Sequence, residues 1–323
     1  MIGKPISYEG ELKTIVPPPK RLLNQVFLND IGIRSGWRLF LFVVIFFALE
    51  IFSETVIRAF VRPAPGVITP SYLLLVEIAR FAVLMFAAFL MSRMEHRAVG
   101  SYGLPLESAF GKRFWQGFLV GLCEISALIG LIAVFGGYSF GSLALHGTEI
   151  VRWLLLWAVV FIFVGLSEEF AFRGYAQFTL ADGIGFWPAA IFLSALFGAI
   201  HLANGGENWR GALSVMFIGL IFAFALRRTG NLWFVVGLHA AFDLGETFLF
   251  SVPDSGMRFE GHLSNATLTG SHWITGGSVG PEGSLFSFLT MGCVALFIHF
   301  AFPARKTALS TNETPTPFLD HQI

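Results

Sequence analysis

Residues 151–180 read VRWLLLWAVVFIFVGLSEEFAFRGYAQFTL. From Trp153 to Leu166 no residue is charged; Glu168, Glu169 and Arg173 then follow inside the same apolar run. About 20 mostly apolar residues suffice to cross a bilayer as a helix. A charged side chain at the centre of such a helix costs about 2.5–3.5 kcal/mol on insertion scales, so it faces a partner or a water-filled cavity. On a helix Glu169 and Arg173 stand i,i+4 and can pair. Glu168 is turned about 100° away, toward another surface.

The same signature recurs downstream. Two more apolar segments carry ionisable groups: His201, four residues after Phe197, and His239 with Asp243 at i,i+4. Around them the 323-residue chain is 55% hydrophobic and 13% charged, with a mean hydropathy of +0.70. Soluble domains carry about 25% charge, so the reading is an all-α, polytopic membrane protein. Eight spans are expected, at 37–60, 72–92, 114–136, 151–180, 186–203, 211–227, 231–251 and 285–302. With both termini in the cytoplasm, 14 Lys and Arg residues flank the inner ends and five the outer ends, which follows the positive-inside rule. The organisation is then a cytoplasmic tail (1–36), a membrane domain (37–303, catalytic core about 150–250) and a second cytoplasmic tail (304–323), both tails mobile. The Gly-, Ser- and Thr-rich segment 252–284 reads as a flexible, solvated outer loop.

Other functions find little support. Net charge is zero, so nothing points to nucleic acid. Cys123 and Cys293 lie far apart in apolar runs, without disulfide or metal spacing. Trp37, Trp115, Trp153, Trp187 and Trp233 fall near expected span ends, where interfacial anchors sit. Glu77 and Arg80, at i,i+3, read as a self-contained pair; Glu124 and Glu246 are acids without an obvious partner.

A rise of about 1.5 Å per residue places Glu168 about 18 Å, His201 about 22 Å, His239 about 12 Å and Asp243 about 18 Å from the inner ends of their helices. The three motifs can therefore share one layer, opening more readily toward the cytoplasm. A buried carboxylate is a useful general base, a histidine beside it can position the same water, and further donors can stabilise an oxyanion. This equipment suits amide hydrolysis without a covalent intermediate.

Glu168-Glu169-x-x-x-Arg173, Phe197-x-x-x-His201 and His239-x-x-x-Asp243, in that order, resemble the CAAX-protease and bacteriocin-processing (abortive-infection) family of intramembrane glutamic endopeptidases. The resemblance covers about residues 150–250 and implies eight helices around a conical active-site cavity. It implies Glu168 as general base with His201 positioning the water, Glu169 paired to Arg173, and His239 with residue 243 lining the oxyanion pocket. No metal and no cofactor are implied. Some members carry asparagine where this chain has Asp243. An ionised aspartate only accepts hydrogen bonds, so Asp243 is expected to be protonated or to orient His239.

The expected partners are a peptide or protein substrate, lipidated or not, and the lipid bilayer; substrate identity and oligomeric state are not readable. The alternatives are a zinc-dependent version of the same hydrolysis, a non-enzymatic membrane scaffold or bacteriocin self-immunity protein, and a transporter using the acids as a proton relay. The chain lacks a His-Glu-x-x-His pair and the paired interrupted helices of many transporters.

Overall fold

The computed structural model describes residues 26–29, 32–61 and 69–303. Most of the first tail and all of the second lie outside the described residues, as does the cytoplasmic placement of the chain ends. The described residues are mostly helical, with two short antiparallel pairings among the connecting segments. Strand β1 (Leu28–Asn29) pairs β2 (Gly32–Ile33), and β3 (Tyr138–Ser139) pairs β4 (Thr267–Leu268) with Tyr138 opposite Leu268.

Four long helices open the membrane domain: α1 (Ser35–Phe60), α2 (Pro70–Glu95), α3 (Lys112–Val134) and α4 (Thr148–Glu169). Thr69 caps α2 by accepting from the Tyr72 N–H, with proline in the first turn. Helix α4 passes into a wide π turn (Phe170–Ala176) and then α5 (Gln177–Ile184). The rest of the bundle is α6 (Phe186–His201), α7 (Trp209–Thr229), α8 (Trp233–Leu244) with a second π turn (Gly245–Leu249), the short α9 (His272–Thr275) and α10 (Leu285–Ala301).

These segments coincide with the eight spans expected. Five are long and apolar enough to cross a bilayer by length and composition, α4 to α5 counting as one. Helices α6 and α10 are shorter; the 16 residues of α6 reach only about 24 Å, short of a hydrocarbon core of about 30 Å. Lipid-facing positions along α1 are apolar and exposed, with Phe47, Ile51 and Phe52 among them.

Close backbone approach sets the centre of the bundle. A Cβ added at Gly117 would stand 1.8 Å from the Phe234 carbonyl oxygen, and one at Gly121 2.1 Å from that of Leu238. From the other side, a Cβ at Gly237 would stand 2.1 Å from the Phe114 oxygen. Glycines four apart on α3, facing a glycine on α8, let two membrane helices touch along their backbones. That contact sets the position of His239 and Asp243. Helix α8 also packs against α4, and α6 against α7.

Three expectations change. Residues 252–284 do not stand away as a solvated loop: Val252, Asp254, Ser264, Thr275 and Val279 are buried, because β4 pairs β3 and the segment folds over the bundle end. Trp233 is not an interfacial anchor; it is buried, donating its indole N–H to the Pro105 carbonyl. Nor are Glu77 and Arg80 self-contained: Arg80 bridges Glu77 of its own helix and Glu50 of α1.

Candidate active site

The π turn after α4 shapes the site. Gly174 leaves helical geometry there (φ −83°, ψ −120°), so what the sequence reads as one straight span is bent just past the two glutamates. Wide turns of this kind gather at functional positions. Glu169 and Arg173 are fully buried and paired, with Arg173 Nη1 3.2 Å from Glu169 Oε1 and 3.3 Å from Oε2. The guanidinium stacks on Phe197 of α6 at 4.2 Å from the ring centroid, a cation–π contact that offsets part of its desolvation. Arg173 thus ties the glutamate to α6, which is what Phe197 contributes.

Glu169 also accepts from His239 Nδ1 at 2.8 Å. That bond orients the imidazole and leaves Nε2 pointing between two more carboxylates, 3.4 Å from Asp243 Oδ2 and 3.8 Å from Glu168 Oε2. Glu168 keeps 29% of its side-chain exposure while Glu169 has none. The adjacent glutamates therefore divide as their 100° offset predicts: one locked in the protein, one facing space.

The space is a cavity of about 360 Å³ lined by Glu168, His239, Asp243 and Phe197, together with Glu77, Arg80, Glu124 and Phe222. It runs to Glu54, Arg58 and Tyr72 at the ends of α1 and α2, and to Asp254, Met257 and Glu282. All of these lie on the face of the 252–284 segment. The cavity thus runs to the helix ends opposite those near Leu180, Phe186 and Asn231. A polar network occupies the Leu180 face: Arg38 bridges Glu95 and Asp182, Arg97 reaches Asp182, and Tyr102 and Tyr175 both donate to Glu95.

His201 stands apart. It is the last residue of α6, its Nδ1 lies 2.7 Å from the Phe197 carbonyl oxygen, and among the described residues no hydrogen bond joins it to Glu168. Of the two acids left without partners by the sequence, Glu124 lines the cavity and Glu246 lies outside its lining. Glu50 went unnoticed in the sequence, although an acid in the middle of an apolar helix was signal enough. On the rim, outside the spans, burial and then repulsion from neighbouring carboxylates push Asp254 well above the usual carboxylate range and Glu282 up to about 8.

The arrangement sets a partly exposed carboxylate beside an imidazole oriented by a buried acid, in a cavity within a helical bundle. Residues 150–245 match the sequence model of a family described as type II CAAX prenyl endopeptidase Rce1-like. That segment contains all three motifs, and the match supports their resemblance to the CAAX-protease and bacteriocin-processing family. No curated protein and no solved structure matches the chain.

Proposed function

We propose that the protein is an intramembrane endopeptidase that hydrolyses a peptide bond with water activated by Glu168. The observation that carries this reading is the division of labour around His239: Glu169 holds Nδ1, while Nε2 faces the cavity between Glu168 and Asp243. A water beside Glu168 loses a proton to the carboxylate as its oxygen attacks the scissile carbonyl carbon. The C=O π pair moves to oxygen, and His239 as an imidazolium, with its Nδ1–H on Glu169, presents an Nε2–H that stabilises the oxyanion. Collapse of the tetrahedral intermediate breaks the C–N bond, and Glu168 returns the proton to the departing amine. Arg173 and Glu169 touch no substrate in this scheme and act as positioning residues.

Two roles rest more on the resemblance. The resemblance gives His201 the role of positioning the water, while in this structure it ends α6 outside the cavity lining. Asp243, at 3.4 Å from His239 Nε2, either donates as a neutral acid or orients the ring. The substrate is a peptide or protein segment reaching the cavity from the face of the 252–284 segment, with CAAX-type C-termini and peptide precursors as the classes to try.

The test compares cells lacking the gene with cells restored by wild type or by Glu168→Ala, mapping new peptide N- and C-termini by mass spectrometry. Ends that appear with wild type alone support proteolysis by Glu168 and identify the substrate. Identical ends with both, at equal expression, refute it and favour the scaffold or immunity reading.

A further inference from the structure

We infer that Glu246, Asp254 and Glu282 form a site for a hard divalent cation of the calcium class at the rim of the cavity, apart from the Glu168–His239 layer. One carboxylate oxygen from each lies within 4.8 Å of the other two. Glu246 sits on the π turn after α8, Asp254 in the tight turn bridged to Met257, and Glu282 on the 3₁₀ turn (Pro281–Gly283) before α10. The three are 8 and 28 residues apart, with no regular ligand spacing, so the sequence reading assigned no metal there.

Glu246 is the second observation. It is completely buried, and neither of its carboxylate oxygens makes a hydrogen bond of full geometry, although the Glu282 backbone N–H bears on the carboxylate. An unpartnered buried acid is costly, and this one is aimed at two further acids. Those two are only partly satisfied: Asp254 accepts from Thr247 Oγ1 at 2.9 Å, and one oxygen of Glu282 accepts from the Ser255 N–H and Oγ, both at 2.9 Å. Among the described residues none of the three carboxylates is in an ion pair. Three acids gathered this way lack a positive charge at their centre.

Size and donor type choose the ion. Calcium takes oxygen ligands at about 2.3–2.6 Å, so opposed ligands stand about 4.6–5.2 Å apart, which accommodates this spacing. Magnesium demands about 2.0–2.1 Å and usually keeps several waters instead of an all-protein cage. Zinc favours His and Cys, and this set has neither. A bound ion pins together three segments distant in sequence. Asp254 and Glu282 also line the cavity, so occupancy fixes the rim over which substrate passes.

The experiment uses the full-length protein in mild detergent, stripped with a chelator and titrated with calcium chloride, with magnesium and sodium chlorides as controls. It is run on Glu168→Gln as well as wild type, so that cation binding and cleavage are read separately. Equilibrium dialysis with radioactive calcium is expected to give about one ion per chain, with a saturable rise in melting temperature of about 3 °C or more. Glu282→Gln and the milder Asp254→Asn are each expected to weaken binding about tenfold or more. Absence of saturable calcium binding by wild type refutes the site even if every variant fails to fold. Undiminished binding by a folded Glu246→Gln/Glu282→Gln protein places the ion elsewhere and refutes it too.

Discussion

Replacing Arg173 by methionine tests whether the buried pair holds the site together. The guanidinium is 1% exposed and its partner Glu169 0%, so solvent screens neither. Methionine fills comparable volume against Phe197 but leaves the Glu169 carboxylate with His239 Nδ1 as its remaining hydrogen-bond partner. Removing one member of a buried ion pair strands the other charge, at a cost of about 3–5 kcal/mol. Arg173→Met should therefore lower the free energy of unfolding by about that amount, measured by unfolding in mixtures of mild and denaturing detergent. Adding Glu169→Gln removes the stranded charge while keeping an amide beside His239. The double variant should recover about 1–3 kcal/mol relative to additivity. If Arg173→Met is as stable as wild type, or the two losses simply add, the pair does not carry the load inferred from its burial.

Glu168→Gln should reduce cleavage about 10²–10⁴-fold, the usual worth of a general base. With 29% of its side chain exposed, its loss should shift stability by no more than about 0.5 kcal/mol, so a collapse in melting temperature would point to a structural role instead. Asp243→Asn should keep much of the activity, because an amide in that place can still orient the His239 ring. A loss as complete as that of Glu168→Ala would make ionised Asp243 essential and overturn its assignment as an orienting group. Gly121→Ala drives a Cβ to 2.1 Å from the Leu238 carbonyl and should cost about 1–3 kcal/mol through forced separation of α3 and α8. Gly130→Ala on the same helix meets nothing within 4 Å and should be neutral or stabilising by up to about 1 kcal/mol. Equal effects in thermal melts of these two variants would argue against the backbone contact.

Much of this protein is determined by local sequence. Apolar runs of bilayer length must satisfy their backbone groups internally and become helices, so the eight segments could be delimited from hydropathy alone. Acids and imidazoles inside those runs cannot face lipid, so the i,i+4 pairs Glu169–Arg173 and His239–Asp243 were legible as inward groups, and the 100° turn between Glu168 and Glu169 foretold that one would be locked and the other free. What tertiary structure decided depends on contacts between distant segments. Whether His239 Nδ1 meets Glu169 follows from how closely Gly165 lets α4 approach α8, since a Cβ there would stand 3.2 Å from the Val236 carbonyl oxygen. The face on which the cavity runs out depends on the fold of 252–284 and on the network around Glu95. Glu246, Asp254 and Glu282 have no periodicity in the chain; only the return of the outer segment onto the bundle brings their oxygens together, because proximity in space between residues far apart in sequence is a property of packing and not of any local run.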